Sequence, residues 1–289
     1  MPSAFLTYAA LGRLQISLFA GLSAMIGYLL AGFYVRTGMF ETGLGVFLVS
    51  CGASGFNQCQ EQKTDALMER TKGRPLPSGS ITLQGALLFS MLCAEAGLLS
   101  LLQAGGNAAS GGGLFAIVWY NGLYTLLKRK TAFATVPGAL VGAIPPAIGW
   151  IAAGGSYADP ILLALCLFFF LWQVPHFWLL GVACRSQYEK AGLPSLTGVF
   201  SEIQLRRIIF VWMSATAVSC LFLSATGIVH SAIIHAGLLT LSVWLVWIGI
   251  MPVLHPNAEV VPLNIFKKTN YYLLMVMLLL SADKLFMLS

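Results

Sequence analysis

Nine long apolar stretches recur along the chain, separated by shorter segments that hold most of its polar and charged residues. Most of them are about 17 to 25 residues long, which is enough for a helix to cross a hydrocarbon core roughly 30 Å thick. We therefore predict an all-α integral membrane protein with nine transmembrane helices, folded as one domain over residues 1–289. The predicted spans are 16–35, 42–59, 83–104, 113–127, 134–153, 160–183, 207–226, 229–251 and 270–288.

The composition excludes an ordinary soluble domain. Hydrophobic residues make up 58% of the chain and charged residues only 9%, whereas a soluble domain has roughly 25% charged residues. The net charge of +6 comes mainly from cations beside the predicted spans, so we read it as a topology signal. It predicts the lipid bilayer as a partner and no nucleic acid.

Basic residues cluster after every second span. Because Lys and Arg near helix ends stay on the cytoplasmic side, this pattern predicts a cytoplasmic N-terminus and an external C-terminus. Between the third and fourth spans, the glycine-rich piece from Gly105 to Gly113 predicts an external turn. The cytoplasmic cations are Lys63, Arg70, Lys72, Arg74, Lys128, Arg129, Lys130, Arg185, Lys190, Arg206, Arg207, Lys267 and Lys268.

The first candidate site lies at the end of the second span and in the polar segment that follows it. If it is helical, Asn57, Glu61 and Asp65 lie at i, i+4 and i+8 on one face. One amide oxygen and two carboxylates suit a hard cation such as Mg²⁺, which usually shares its oxygen ligands with phosphate. The pattern therefore predicts a metal site, and the cations that follow it are candidates to bind phosphate oxygens. Those cations are Arg70, Lys72 and Arg74.

A second candidate lies at the end of the fourth span. Tyr124 and Lys128 are also four residues apart, so a phenol and an ammonium can face one ligand. Arg129 follows directly. The structural alternative is a membrane-interface aromatic residue followed by topology anchors.

A third candidate is the sequence Trp172-Gln173-Val174-Pro175-His176 in the sixth span. Polar side chains at membrane depth indicate function because unsatisfied polar groups are costly in hydrocarbon. An ordinary hydrogen bond between helices is the alternative for His176. Glu95 lies in the middle of the third span, and we expect it to be a buried carboxyl that is protonated or has its hydrogen bonds satisfied.

Three long blocks of the chain resemble one known family. They read NQCQEQKTDALMERTKGRPLPSG (57–79), YTLLKRKTAFATVPGALVGAIPPAIGW (124–150) and FLWQVPHFWLLGVACRSQYEKAGLPSL (170–196). In this order they are similar to the protoheme IX farnesyltransferases, or heme O synthases, which are UbiA-type intramembrane prenyltransferases. The resemblance spans most of the chain.

The resemblance implies a nine-helix UbiA-type bundle with a central cavity and active-site loops on the cytoplasmic side. It implies transfer of a farnesyl group from farnesyl diphosphate to a vinyl group of heme B, with Mg²⁺ or Mn²⁺ as cofactor. The inner membrane of a prokaryote is the expected location, with handover of the product to downstream heme-modifying or oxidase-assembly proteins.

The same resemblance implies a role for each candidate residue. Asp65, Glu61 and Lys128 would be catalytic. The metal ligands would be Asn57, Glu61 and Asp65, with Glu189 as a further candidate. The diphosphate would contact Arg70, Lys72, Arg74, Tyr124, Lys128, Arg129 and Arg185. The heme acceptor would contact His176, Trp172 and Gln173.

Two departures from the family pattern bear on these roles. The family's second acidic motif usually has Asp within R-x-D-Y-x-x-A-G, where this chain has Gln187. Either Glu189 compensates, or one metal suffices, or activity is altered. The N-terminal block reads Leu11-Gly12-Arg13, where the family commonly has K-P-R. The alternatives are a UbiA-type enzyme with another aromatic or quinone-precursor acceptor, and an inactive heme- or lipid-binding relative or a transporter.

Overall fold

The structure is a computed structural model that describes residues 4–32, 36–255 and 262–287. Parts of two predicted spans, residues 33–35 and 288, lie outside them. The described residues form helices and turns, with no β-strand among them. The helices are α1 (Ala4–Leu11), α2 (Leu14–Ala31), α3 (Thr37–Asp65), α4 (Leu83–Ile117), α5 (Thr125–Leu127), α6 (Thr135–Gly138), α7 (Leu140–Ala152), α8 (Pro160–Ala183), α9 (Arg185–Lys190), α10 (Glu202–Leu223), α11 (Ala232–Leu254) and α12 (Pro262–Phe286).

Seven helical stretches in the described part of the chain are long and apolar enough to cross a membrane. One of them, Leu83–Leu127, has 45 residues and reverses direction within α4. Ser110 Oγ donates to the Leu98 carbonyl at 3.1 Å, although twelve residues of straight helix would separate them by about 18 Å. Counting this hairpin as two spans, and adding the 25-residue α12 with its charged ends, accounts for the nine predicted spans. The chain is a multi-pass integral membrane protein.

The reversal in α4 is shorter than the sequence indicated. Non-helical backbone is confined to Gly105 and Gly106, and Gly106 has a φ of 65°. Residues 107–117 are helical, so the expected external turn over Gly105–Gly113 was wrong in its extent. Glycine tolerates positive φ without a steric penalty, so two residues suffice to turn the chain.

The helices pack as a closed ring in the order α4, α3, α2, α12, α11, α10, α8, α7 and back to α4. Three further contacts cross the ring, between α2 and α7, between α3 and α7 and between α8 and α12. Glycine makes the first of these possible. A Cβ at Gly149 would lie 1.8 Å from the Ala24 carbonyl oxygen, and one at Gly27 would lie 2.0 Å from that of Pro146. Such close backbone approach is typical of membrane helices.

The polar segment that follows the second span is helical and forms one continuous helix with that span. α3 has 29 residues and includes Asn57, Glu61 and Asp65, so the helical spacing assumed from the sequence is present. Glu95 differs from expectation, because it lies on the exposed outer side of α4 between the exposed Leu92 and Leu99. The inner side of α4 carries small residues that pack on α3, which turns Glu95 outward.

Candidate functional site

One face of α3 carries three buried oxygen-bearing side chains. Asn57, Glu61 and Asp65 are only 1%, 3% and 1% exposed. Asn57 Nδ2 donates to Thr125 Oγ1 at 3.0 Å, which ties α3 to α5. Because Nδ2 makes this bond, the Asn57 amide oxygen is the atom left to join the two carboxylates. The sequence-predicted face of α3 is therefore assembled inside the bundle.

Lys128 meets this face from the end of the fourth span. Its Nζ donates to Glu61 Oε2 at 2.5 Å and lies 2.5 Å from Oε1, yet Oε1 accepts no aligned hydrogen bond. Burial lowers the pKa of the Lys128 ammonium, and Glu61 acts in the opposite direction. The ammonium therefore depends on nearby negative charge.

Arg74 makes the corresponding contact with Asp65. Arg74 Nη1 donates to Asp65 Oδ2 at 2.6 Å, and Thr71 Oγ1 donates to the Asp65 carbonyl at 2.9 Å. Burial lowers the pKa of Arg74, and Asp65 opposes that shift. Each carboxylate of the α3 face thus has its own cation, supplied by a different loop.

An aromatic wall adjoins the two ion pairs. Tyr124 stacks on Tyr120, with ring centroids 5.7 Å apart, and on Phe177 of α8 at 6.4 Å. Lys128 Nζ lies 5.9 Å from the Tyr124 ring centroid. A cavity of about 60 Å³ is lined by Tyr124, Lys128, Phe177 and, from α9, Tyr188. Electron-rich ring faces can stabilise a positive charge that lies against them.

Arg13 entered the sequence analysis only as part of the N-terminal block that departs from the family pattern, yet its backbone and charge mark it out in the structure. It has φ 47°, the one positive φ outside glycine among the described residues. Its positive charge lowers the pKa of both Arg74 and Lys128, so it acts electrostatically on both ion pairs. Within the described residues its guanidinium makes no hydrogen bond or ion pair. Strained backbone at a functional site is a recognised signal, but it is invisible in the sequence.

Gln58 of α3 holds the turn that presents Arg13. Its Nε2 donates to the Leu11 carbonyl at 2.8 Å and to the Ala10 carbonyl at 3.2 Å. Gln58 neighbours Asn57 in sequence but points away from the oxygen-bearing face, toward α1. The same helix therefore supplies the carboxylates and anchors the turn that carries Arg13.

The other predicted diphosphate contacts lie farther out. Arg70, Lys72, Arg129 and Arg185 are exposed. Lys72 pairs with Glu69 at 2.6 Å, and Arg129 Nη2 donates to the Gln60 carbonyl at 2.6 Å. Among the described residues, none of these four cations makes a hydrogen bond or ion pair with Asn57, Glu61 or Asp65.

Gln187 and Glu189 occupy the region of the second acidic motif. Arg185 Nε donates to Glu189 Oε1 at 2.8 Å, and both side chains are at least half exposed. Gln187 Oε1 accepts a hydrogen bond from the Arg70 backbone N–H at 2.9 Å. Gln187 therefore links α9 to the loop after α3, while Glu189 faces Arg185 at the surface.

The third candidate cluster faces α12. Trp172 Nε1 donates to the Thr269 carbonyl at 2.9 Å, and His176 Nδ1 lies 2.7 Å from Asn270 Oδ1. Gln173 points elsewhere, because a Cβ at Gly142 of α7 would lie 2.1 Å from Gln173 Oε1. The structure thus brings Trp172 and His176 together and separates Gln173 from them.

The donor set of the α3 face suits a hard divalent cation. Among the described residues, no group of three or more His, Cys, Asp and Glu side chains could hold a metal. Mg²⁺ rarely needs such a cage, since it is commonly held by one or two carboxylates together with substrate phosphate. Two buried carboxylates and one amide oxygen on successive turns of α3 fit that mode.

Comparison with known proteins identifies the class. The model of the UbiA prenyltransferase family matches residues 6–259, so this chain belongs to that family of prenyltransferase enzymes. The chain is similar to a protoheme IX farnesyltransferase of Oleidesulfovibrio alaskensis, with 35% identity over 96% of each chain. It is also similar to one of Geobacter sulfurreducens, with 38% identity over 75% of this chain and 80% of the relative.

Solved structures share the fold. A digeranylgeranylglyceryl phosphate synthase superposes with a TM-score of 0.77 at 18% identity, covering 97% of this chain and 98% of the other. A UbiA homologue from Archaeoglobus fulgidus bound to GPP and Mg²⁺ gives 0.64 at 13% identity, covering 95% and 99%. The predicted all-helical UbiA-type architecture is confirmed.

Proposed function

We propose that this enzyme transfers the farnesyl group of farnesyl diphosphate to a vinyl group of protoheme IX, converting heme B to heme O. The similarity to protoheme IX farnesyltransferases supports this substrate pair. The observation that carries it is the position of Phe177, whose ring contacts Tyr124 at 6.4 Å and His176 at 5.2 Å between centroids. One aromatic surface therefore joins the ion-pair cluster to the candidate acceptor residues.

The diphosphate end of the donor would bind at the α3 face. Asn57, Glu61 and Asp65 would hold Mg²⁺, with Mn²⁺ as an alternative ion, and the bound ion would neutralise charge on the diphosphate. Lys128 and Arg74 would exchange part of their contact with the carboxylates for phosphate oxygens. Positioned cations of this kind stabilise the charge that develops on a leaving diphosphate.

The allylic end would lie along the aromatic wall. Cleavage of the carbon–oxygen bond leaves a cationic farnesyl carbon, and the faces of Tyr124 and Phe177 can stabilise that charge. His176 and Trp172 lie on the far side of Phe177, where the acceptor ring would sit. The vinyl group would then add to the farnesyl carbon as diphosphate leaves. Water would take up the cation that forms on the former vinyl group, giving a hydroxyl group and releasing a proton.

We place the diphosphate site on the cytoplasmic side of a prokaryotic inner membrane, with the N-terminus inside and the C-terminus outside. The cations at that end of the bundle support this orientation. Handover of the product to downstream heme-modifying or oxidase-assembly proteins is part of the same proposal.

The direct test incubates purified protein with heme B, farnesyl diphosphate and Mg²⁺ and looks for heme O by mass spectrometry. Omission of Mg²⁺ should prevent product formation, and Mn²⁺ should restore it. Parallel reactions with quinone-precursor rings test the alternative acceptor. Product from such a ring and none from heme would overturn the proposal.

A further inference from the structure

His176 is held on three sides by aromatic rings. Its ring centroid lies 4.7 Å from that of Trp172, 5.2 Å from that of Phe177 and 4.6 Å from that of Phe266 on α12. These neighbours come from two helices that also share the hydrogen bond from Trp172 to Thr269. The imidazole has little freedom to tilt.

The tautomer of the His176 imidazole, that is, which ring nitrogen carries the proton, is determined by Asn270. An amide oxygen can only accept a hydrogen bond. Since Asn270 Oδ1 lies 2.7 Å from His176 Nδ1, the hydrogen belongs on Nδ1. In a neutral imidazole, Nε2 then carries the lone pair and can bind a metal or accept a hydrogen bond.

We infer that Asn270 is a positioning residue, which fixes His176 as the Nδ1–H tautomer so that Nε2 can bind the iron of a metalloporphyrin acceptor. This inference rests on the proposed function, because it assumes a heme acceptor. Outer hydrogen bonds of this type orient a ligating histidine and raise its basicity. Asn270 contacts neither ion pair of the diphosphate site, so its role would be confined to the acceptor.

The test compares Asn270→Leu and Asn270→Asp in the full-length purified protein loaded with heme B. Leucine removes the acceptor of the Nδ1 hydrogen bond, so heme affinity should fall roughly 10-fold or more and the iron–histidine stretching frequency should drop. Aspartate is a stronger acceptor, so affinity should be retained and the frequency should rise. Asn264→Leu, an exposed change on the same helix, should leave both unchanged.

Opposite spectral shifts in the two variants are a result that loss of packing alone cannot produce. Farnesyl diphosphate binding and thermal unfolding, measured on every variant, verify that the fold is intact. If His176→Ala changes the heme spectrum while both Asn270 variants keep the parental one, the positioning inference is wrong and the heme-binding role of His176 stands. If His176→Ala leaves the heme spectrum unaltered, both fail, whereas heme O formation by the parent protein tests the proposed reaction separately.

Discussion

Lys128 Nζ lies 2.5 Å from both carboxylate oxygens of Glu61, across 67 residues of sequence. The pair joins the end of the fourth span to α3 at the level where a diphosphate would bind. A buried cation and carboxylate in contact can serve two purposes. Each group compensates the charge of the other, and each can exchange this contact for one with a ligand. Removing one member leaves the other as a buried charge without compensation, which is costly.

Lys128→Ala is expected to weaken farnesyl diphosphate affinity about 10-fold to 100-fold, because a charge-assisted contact contributes roughly 1.5–3 kcal/mol. Equilibrium binding of the diphosphate measures the effect. Lys130→Ala is the matched control, as it removes the same charge from an exposed neighbour. Equal affinity in both variants would mean that Lys128 does not bind the diphosphate and serves as a topology anchor.

Asp65→Ala is expected to abolish turnover and Mg²⁺-dependent diphosphate binding, because it removes one of the two buried carboxylates of the α3 face. The variant should still fold, although the loss of its partner leaves Arg74 in a largely buried position. Glu69→Ala removes the same charge at an exposed site nearby and should retain activity. Normal turnover of Asp65→Ala would contradict the metal assignment.

Arg13→Gly is expected to reduce diphosphate affinity without loss of thermal stability. Glycine adopts the φ of 47° at this position without the steric cost that arginine bears. Arg13→Asn, which also tolerates the left-handed region, should behave in the same way. Unchanged affinity together with a higher melting temperature would mean that the strained arginine has no role in binding.

Gln187→Asp is expected to lower the Mg²⁺ concentration needed for half-maximal activity. The carboxylate can still accept a hydrogen bond from the Arg70 backbone N–H, so the link between α9 and the loop after α3 is kept while a negative charge is added. Ser186→Asp adds the same charge at an exposed neighbouring position. Identical Mg²⁺ titrations for the two variants would indicate that position 187 contributes only the loop contact.

Glu95→Leu is expected to stabilise the protein in the membrane. Glu95 lies on the outer side of α4, about 18 Å along the helix from Leu83, near the middle of the bilayer. Replacing glutamate by leucine there favours insertion by about 3 kcal/mol. A glycosylation-based insertion assay of the span measures this, and thermal unfolding in vesicles tests the whole protein. A less stable variant would show that Glu95 contributes a favourable contact in the membrane.

Much of this protein follows from local sequence. The long apolar stretches specify helices that cross a membrane, because a single segment can satisfy its own backbone hydrogen bonds in hydrocarbon only as a helix. The spacing of Asn57, Glu61 and Asp65 places them on one helical face because that face is a property of a single continuous helix. The same local rule relates Tyr124 to Lys128 and Trp172 to His176.

The tertiary structure decided the contacts between these faces. Arg13 joined the site because Gln58 anchors the α1–α2 turn, and Asn270 became the partner of His176 because α8 and α12 pack together. Helix packing also explains why Glu95 faces outward and Gln173 faces Gly142. In each case the orientation follows from the side of the helix that packs against a neighbouring helix. A helical period specifies that side chains share a face, but only the packing of distant segments determines what that face contacts.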